Sequence, residues 1–284
     1  MEEEKTKHRL DIVLAKQYPE YSRSLIQKLI KEGRVKVNGF CLKKPSIDVF
    51  ESAEIKLDLT NLHKEKSKID VDVIYEDENL VVVNKPSGIL THSKGAYNPE
   101  TALADWLKLR KNYDFAEDND RGGIVHRLDR ATSGVIICAK NSKTLGYLQK
   151  QFSSRETKKT YVAIIEGHLK NDEALIDIPI GRNPKDPKMF RPDPNGKSAQ
   201  TFYKVLASNN KYSMLELKPV TGRTHQLRVH LKHLGHPIVG DDFYGGKKAS
   251  RLMLHAQSLE INIPDNINKT FSAILPEEFN GYVS

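Results

Sequence analysis

One stretch near the middle of the chain constrains the fold most, because it joins a tight turn, a polar cluster and an apolar run. It begins with Gly122 and Gly123, which permit backbone angles that other residues resist. The apolar run Val135–Ala139 is short and rich in β-branched residues, which predicts a buried strand. The intervening sequence, His-Arg-Leu-Asp-Arg at 126–130, therefore places Asp129 on a constrained loop at the mouth of a sheet.

A carboxylate between two arginines supports two interpretations. Nearby positive charge favours the ionised form, so Asp129 is suited to a reaction that needs a charged carboxylate. The same pattern is also typical of a structural ion pair that fixes a loop. Other motifs in the chain are needed to distinguish these two interpretations.

Length and composition indicate a soluble protein of two domains. Of the 284 residues, 38% are hydrophobic and 29% are charged, a balance that supports a buried core. The apolar runs are too short to cross a bilayer, and the first residues contain no secretory signal. Cys41 and Cys138 are isolated, so neither a disulfide framework nor a cysteine-based zinc site is expected. We therefore predict a cytoplasmic protein with no membrane partner.

Residues 8–40 predict a small basic unit. Leu10, Val13 and Leu14 recur at helical spacing, and a second helix is predicted to begin after Ser22 or Ser24. This second helix carries its apolar residues on one face: Leu25, Ile26, Leu29 and Ile30. An alternating strand then leads into an Asn-Gly hairpin turn at 38–39. The net charge of +8 favours a polyanionic partner, although a basic surface without a partner has the same composition.

Three segments of this unit resemble the S4 domain, a small RNA-binding fold: Arg9-Leu10-Asp11, Ser22-Arg23-Ser24 and Gly33–Gly39. The resemblance implies RNA as the partner without naming a reaction. Four of its basic residues are predicted to contact RNA: Arg23, Lys28, Arg34 and Lys36. We expect an S4-like domain over 1–60, a polar linker over 61–69 and a catalytic domain over 70–284.

The catalytic body alternates short strands with a few helices. Strands are predicted over 71–75, 80–83, 158–165, 202–205 and 214–217, and a helix is predicted around Leu145, Leu148 and Phe152. Residues 181–198 form a long, basic, proline-containing loop that is predicted to grip nucleic acid. The pattern predicts an α+β fold with a mixed, largely antiparallel sheet.

The segment Asn84–Gly88, Asn-Lys-Pro-Ser-Gly, predicts a tight connection after the second of these strands. Its Lys85 is predicted to contact an RNA phosphate, with an ordinary surface lysine as the alternative.

A second polar cluster, Thr221–His230, begins a helix just after a strand and a glycine. Leu227, Leu231 and Leu234 form its apolar stripe, so Arg223 and Gln226 are expected to face a cleft. Histidines follow at 225, 230, 233 and 236, but their spacing matches no zinc signature, and we expect no metal site.

Several enzyme classes lack their motifs in this sequence. The leucine in His126–Asp129 interrupts the kinase signature H-R-D, and no G-x-S-x-G elbow, Walker loop or Rossmann fingerprint occurs. We therefore expect no cofactor.

The segment His126–Gly134, His-Arg-Leu-Asp-Arg-Ala-Thr-Ser-Gly, is similar to the H-R-L-D-x-x-T-S-G signature of the RluA-type pseudouridine synthases. Further stretches agree in order: Asn84–Gly88, Lys159-Thr160-Tyr161, Gly222–Arg228 and the Leu-His-Ala at 254–256. The resemblance covers almost the whole chain, including an N-terminal S4 domain as in the branch that acts on large-subunit ribosomal RNA.

The resemblance implies an isomerase, an intramolecular transferase with the pseudouridine synthase fold. Such an enzyme cuts the N-glycosidic bond of a uridine, rotates the base and joins C5 to C1′ of the ribose. Asp129 corresponds to the essential carboxylate, which attacks the base, attacks the sugar or removes a ribose proton; the sequence leaves these roles open.

The other site residues follow from the same resemblance. Arg223 matches the arginine that pairs with the catalytic aspartate, Tyr161 matches the active-site tyrosine and Leu227 matches the apolar residue lining the base pocket. Arg127 is implied to fill the stack that a flipped uridine leaves. His126 and Gln226 are added as substrate-binding residues.

Three alternatives stay open. A transfer-RNA-directed enzyme of the same family would use the same pocket. A catalytically silent ribosome-assembly factor would retain the fold, and a metal-dependent nucleic-acid hydrolase would need a second carboxylate cluster. The expected partner is large-subunit ribosomal RNA or an assembling particle, and the expected state is a monomer.

Overall fold

The computed structural model describes residues 6–60, 67–93, 100–110 and 122–284. Two compact units divide the chain, one within Met1–Lys66 and the other comprising Ser67–Ser93 and Glu100–Ser284. Most of the predicted linker, residues 61–66, lies outside the described residues.

The first unit packs two helices against short strands. Its elements are β1 (Lys7–Arg9), α1 (Leu10–Gln17), α2 (Arg23–Lys31), β2 (Val35–Val37), β3 (Phe40–Cys41), β4 (Asp48–Phe50) and β5 (Ile55–Leu57). Strand β1 pairs with β4, and β3, β2 and β5 form a separate antiparallel sheet.

Local sequence explains where α2 begins and how the chain turns between β2 and β3. Ser22, the first of the two candidate caps, begins α2, since its Oγ accepts the Leu25 N–H at 3.3 Å. Asn38 and Gly39 have φ of +49° and +81°, the left-handed angles that a two-residue hairpin turn requires. The buried faces of both helices contain the predicted leucines and isoleucines, among them Leu10, Leu14, Ile26, Leu29 and Ile30.

The second unit contains the large sheet. Its first elements are β6 (Asp72–Glu76), β7 (Leu80–Lys85), α3 (Leu103–Lys108), β8 (Ser133–Ala139), α4 (Ser142–Ser154), β9 (Lys158–Glu166), β10 (Glu173–Asp177), β11 (Ile180–Arg182) and β12 (Phe190–Pro192). There follow β13 (Gln200–Ser208), β14 (Tyr212–Pro219), α5 (Gln226–His233), β15 (Leu254–Ile263) and β16 (Ile267–Ser272), with 3-10 turns at Pro264–Asn266 and Glu277–Tyr282.

The sheet runs in the order β10-β13-β14-β9-β15-β8-β7-β6, with β16 also paired to β15. Among these pairings β15–β8 is parallel and the others are antiparallel. The predicted α+β class with a largely antiparallel sheet is therefore confirmed. The seven residues of β8 are all buried, which agrees with their apolar, β-branched sequence.

Gly134 allows the central parallel pairing. Its φ is +117°, and a Cβ there would lie 2.2 Å from the carbonyl oxygen of Ala256 in β15. Only glycine permits this close approach of two backbones. Strand β8 therefore lies beside β15 immediately after the Asp129 loop.

The prediction of a long loop over 181–198 is wrong in part. Strands β11 and β12 form a two-stranded antiparallel hairpin within it, and Ile180 bridges to Lys197. Asx turns at Asn183, Asp186 and Asp193 supply local hydrogen bonds that satisfy the backbone of the proline-containing segment.

Candidate active site

Asp129 lies in a pocket on the second unit, where the sequence-predicted catalytic residues meet. The pocket is lined by residues from the Asp129 loop, β9 and the start of α5, including Arg127, Asp129, Tyr161, Arg223, Gln226, Leu227 and Arg228. These segments are far apart in the sequence, and the sheet brings them together.

The Asp129 loop is fixed by the segment that follows β7. The Thr91 hydroxyl donates to the Leu128 carbonyl at 2.8 Å, and the Ser87 hydroxyl donates to the Ala131 carbonyl at 2.6 Å. The Gly88 N–H donates to the Arg130 carbonyl at 2.8 Å. These bonds hold the backbone on both sides of the carboxylate.

Lys85 is buried, so the prediction that it contacts RNA is wrong, as is the alternative of a surface lysine. Its side chain is fully shielded from solvent, and the ammonium donates to the carbonyls of Pro86, Ile89 and Arg130 at 2.8, 2.9 and 3.3 Å. Burial lowers the pKa of Lys85 to about 7, although the charge of Asp129 opposes the shift. Lys85 thus anchors the Asp129 loop from inside.

Arg228 supplies the cation next to Asp129. Its Nη1 lies 3.5 Å from Asp129 Oδ2, while its Nε and Nη2 each donate at 2.7 Å to the two oxygens of Asp241. The arginine side chain is 6% exposed and that of Asp241 is 0% exposed. The bidentate pair fixes the guanidinium beside the Asp129 carboxylate.

His225 completes this network from a strained backbone position. Its φ is +56°, in the left-handed region, and its Nε2 lies 3.8 Å from Asp129 Oδ2. The other ring nitrogen shares a hydrogen bond of 2.9 Å with the Tyr244 hydroxyl. Burial lowers the pKa of His225, so the ring is neutral near pH 7.

Sequence reasoning assigned no role to Arg228, His225, Asp241 or Tyr244. The sequence shows a basic residue five positions after Arg223 and an acidic residue directly after Gly240. Nothing in their spacing pairs them, because Asp129 and Arg228 are 99 positions apart.

The predicted ion pair between Arg223 and Asp129 is not formed. Arg223 lines the pocket, but its Nε donates to the Ser198 carbonyl at 3.0 Å. Arg228 occupies the position beside the carboxylate because α5 begins at Gln226, and Arg228 is among the buried residues of its first turn. Arg223 stays on the loop before the helix, on the rim of the pocket.

Gln226 is a structural residue, so its predicted role in substrate binding is wrong. Its Oε1 accepts from the Thr221 hydroxyl and the Arg223 N–H, at 2.7 and 3.0 Å. Its Nε2 donates to the Gln200 carbonyl and to Thr201 Oγ1, at 2.9 and 3.0 Å. All four hydrogen-bonding positions of the amide are used within the protein.

His126 likewise supports the backbone. Its Nε2 accepts the Ile137 N–H at 3.1 Å, and its ring stacks on Phe152 with centroids 4.6 Å apart. Burial, followed by the charges of Lys159 and His92, lowers the pKa of His126 to about 3. The neutral ring lies in a groove beside the Asp129 pocket, not among the residues that line the pocket itself.

Tyr161 and Leu227 form the apolar side of the pocket. Leu227 is buried, and Tyr161 packs against two hydrophobic clusters of the core of the second unit. Burial, and then the charge of Asp129, raise the pKa of Tyr161 well above its ordinary value, so the phenol is neutral. Its hydroxyl makes no hydrogen bond to any other described residue.

The basic residues of the first unit differ in how firmly they are held. Arg23 donates through Nε and Nη2 to Asp11 at 3.1 and 2.9 Å, and Arg34 donates to the Thr60 carbonyl at 2.7 Å. Lys28 and Lys36 are exposed. Burial alone would raise the pKa of Asp11, but hydrogen bonds from Gln27 and the arginines outweigh it and lower the pKa to about 2.

No group of three or more His, Cys, Asp and Glu side chains is placed to hold a metal ion within residues 6–60, 67–93, 100–110 and 122–284. In the same ranges, no helix combines the length and the apolar character needed to span a membrane.

Comparison with curated proteins gives close relatives over nearly the full chain. A protein of Borreliella burgdorferi named ribosomal large subunit pseudouridine synthase D is 41% identical, with 97% of this chain and 89% of the relative covered. An uncharacterized RNA pseudouridine synthase of Aquifex aeolicus is 42% identical over 85% of this chain and 78% of its own length. The Escherichia coli ribosomal large subunit pseudouridine synthase D is 34% identical, covering 95% and 88%.

Family and structure comparisons agree with these relatives. Residues 8–55 match the S4 domain, and the solved structure of human RNA pseudouridylate synthase domain containing 1 superposes with a TM-score of 0.61 at 29% identity, covering 74% of this chain and 84% of that one. Residues 79–233, which carry Asp129, Tyr161 and Arg228, match the RNA pseudouridylate synthase family. The chain therefore belongs to the RNA pseudouridylate synthase family and is an isomerase that acts on RNA uridine.

Proposed function

We propose that this protein converts specific uridines of large-subunit ribosomal RNA to pseudouridine, with Asp129 as the essential carboxylate. The observation that carries the proposal is the setting of Asp129. Its loop is anchored by Lys85, the Arg228 guanidinium lies 3.5 Å from its carboxylate, and it lines one pocket together with Tyr161 and Leu227. A carboxylate so placed meets a planar base at its edge.

The reaction needs an ionised carboxylate close to the glycosidic bond. The bond from C1′ to N1 breaks, the base turns, C5 bonds to C1′, the C5 proton leaves and N1 takes up a proton, so that the product is an isomer of the substrate. Whether Asp129 attacks the base, attacks the sugar or removes a ribose proton, it acts in its charged form. The Arg228 guanidinium lies 3.5 Å from this carboxylate and a ring nitrogen of His225 lies 3.8 Å from it.

The remaining residues act on the uridine before the bond breaks. Tyr161 stacks on the base and is placed to assist loss of the C5 proton, while Leu227 supports the opposite edge. Extrusion of a uridine from a structured RNA costs a few kcal/mol. Arg127, which is exposed at the rim, is proposed to fill the vacated stack, and Arg223 to contact the substrate from the other side of the rim.

The proposed target follows from the relatives and the S4 match. Two relatives named for the large ribosomal subunit cover at least 95% of this chain, and residues 8–55 match an RNA-binding module. We propose that an S4 domain over 1–60, including Arg23, Lys28, Arg34 and Lys36, binds the RNA while residues 70–284 catalyse. A cytoplasmic monomer that acts on free RNA or on an assembling particle fits this proposal.

Tritium release tests the chemistry directly. Unmodified large-subunit ribosomal RNA is transcribed with uridine labelled at C5 and incubated with the wild type or with Asp129→Asn, which is nearly isosteric. We expect release by the wild type and none by the variant, with RNA binding by both. Binding without release by the wild type would instead support a silent binding protein.

Mapping of the modified positions tests the target. Labelled large-subunit ribosomal RNA and a transfer RNA pool are treated in parallel, and pseudouridine is located by chemical derivatisation and reverse transcription. Modification confined to ribosomal RNA is the expected result. Modification confined to transfer RNA would retain the chemistry and overturn the target.

A further inference from the structure

A basic groove lies beside the Asp129 pocket and shares part of its wall. We use "basic groove" for the surface lined by Arg127, Phe152, Arg155, Lys159, Val220 and Arg223, with a volume of about 410 Å³. Arg127, Lys159, Tyr161 and Arg223 line both the groove and the pocket. The groove and the pocket are therefore continuous, so a nucleic-acid strand that lies in the groove can place a base in the pocket.

The cations of the basic groove are not neutralised by the protein. Arg127, Arg155 and Lys159 form no ion pair and no side-chain hydrogen bond with any residue that the structure describes, and no Asp or Glu lines the groove. Some cations elsewhere on the second unit do have acidic partners, such as Lys140 with Glu76 at 3.1 Å and Lys158 with Glu260 at 2.8 Å. The groove therefore gathers three cations that no acidic side chain of the described residues neutralises.

The cluster is electrostatically unfavourable in the free protein. Lys159 is half-buried, and its burial, together with the neighbouring charge of Arg155, lowers the pKa of its ammonium group. Like charges gathered in a partly dry groove are relieved by an anion that bridges them. Because the cations are spread along the groove, they suit a chain of linked anions better than a single anion.

Arg155 adopts a backbone conformation that is unfavourable for an arginine. It follows α4 with φ +61° and ψ +30°, and the Glu156 N–H donates to the Gln151 carbonyl at 3.0 Å, which is the helix-ending motif that glycine favours. A left-handed conformation is unfavourable for a residue with a Cβ. An arginine here is explained by what its side chain does, since the side chain is exposed along the groove.

We propose that the basic groove binds the phosphates of the RNA strand next to the uridine in the Asp129 pocket, with Arg155 as a phosphate contact. This inference rests on the proposed function, because the shared wall places the strand only if the pocket takes a nucleotide. Lys159 lies between the two surfaces and contacts the phosphate nearest the flipped nucleotide. The groove so defines a binding site outside the catalytic pocket.

The test replaces Arg155 with asparagine, which accepts left-handed angles and carries no charge. Binding of the full-length protein to a fluorescent transcript of large-subunit ribosomal RNA is measured between ~50 and ~200 mM salt. Loss of one phosphate contact reduces the salt slope of log K by about 0.8, which weakens binding about tenfold at the low salt and about fourfold at the high salt.

Arg155→Gly separates this role from a structural one. Because glycine favours the left-handed cap, the variant should melt at the wild-type temperature or about 2 °C above it while it binds RNA as weakly as Arg155→Asn. If Arg155 served only folding, Arg155→Gly would lower the melting temperature and leave RNA binding unchanged.

Lys158→Gln is the matched control, since Lys158 precedes Lys159 on β9 but pairs with Glu260 instead of lining the groove. It should bind RNA and release tritium like the wild type. The inference is overturned if Arg155→Asn binds like the wild type at every salt concentration, or if Lys158→Gln loses as much affinity. Tritium release by the wild type in the same samples keeps the proposed function separate, because its absence would overturn that function and, with it, the inference.

Discussion

Arg228 Nη1 lies 3.5 Å from Asp129 Oδ2, and this contact joins the start of α5 to the loop before β8. The guanidinium is not free to move toward the carboxylate, because two hydrogen bonds of 2.7 Å hold it on Asp241. The cation is therefore preorganised, and its distance from Asp129 is set by the packing of α5 on the sheet.

The first prediction concerns this network. Arg228→Gln leaves the buried Asp241 without its partner and should lower the free energy of unfolding by about 3 kcal/mol. The loss of the cation beside Asp129 should reduce tritium release by about 100-fold. Denaturant unfolding and single-turnover tritium release measure the two effects.

The double variant Arg228→Gln with Asp241→Asn separates them. It removes the unpaired charge and should recover most of the stability without recovering the rate. A double variant with wild-type activity would show that Asp129 does not depend on Arg228.

The second prediction concerns the buried lysine. Lys85→Met removes the ammonium donor from the Pro86 and Ile89 carbonyls and one of two donors from the Arg130 carbonyl, and it should destabilise the protein by about 3 kcal/mol, with a further loss of activity as the Asp129 loop relaxes. Chemical denaturation and tritium release give the two losses. Wild-type activity in this variant would contradict an anchoring role.

Lys85 also predicts a pH dependence. Its pKa is about 7 in the folded state and 10.5 in the unfolded chain, so the unfolded state binds more protons between these values. The contribution of Lys85 to stability is therefore lowest below pH 7 and rises toward pH 10.5, by up to about 1.4 kcal/mol per pH unit. The free energy of unfolding of the wild type should rise relative to that of Lys85→Met across this pH range. Parallel curves for the two proteins would contradict the prediction.

The third prediction uses two glycines as a matched pair. Gly134→Ala places a Cβ 2.2 Å from the Ala256 carbonyl oxygen and should cost more than about 3 kcal/mol or prevent folding. Gly146→Ala lies in α4 with nothing within 4 Å of the new Cβ and should stabilise by about 1 kcal/mol. Melting temperatures of the purified variants decide this, and equal effects of both substitutions would refute the backbone argument.

The fourth prediction concerns the first unit. The Asp11 carboxylate is 0% exposed and has a pKa of about 2, below the ordinary 3.8, so the stability that it contributes is complete above pH 3.8 and is lost as the pH falls through 2. Asp11→Asn should remove about 2 kcal/mol at neutral pH. Hydrogen exchange of the α1 and α2 amides in the full-length protein reports the change, with Asp48→Asn, an exposed carboxylate, as the control.

The sequence by itself determined those elements whose pattern is local. The Asn-Gly turn at 38–39, the apolar run of β8 and the strands on either side of the Asp77–Asn79 turn depend on neighbours within a few residues, so their patterns predicted them correctly. The motif around Asp129 likewise indicated the family and the reaction class, since its residue types are contiguous.

Partners and burial were decided only by the tertiary structure. Lys85 and Gln226 are polar residues of the kind that usually face solvent, and nothing in their local sequence indicates that groups of the protein itself occupy their hydrogen bonds. Arg228 rather than Arg223 reaches Asp129 because α5 begins at Gln226 and its first turn faces the sheet. Contacts between residues 99 positions apart depend on how helices and strands pack, and no local pattern encodes that choice.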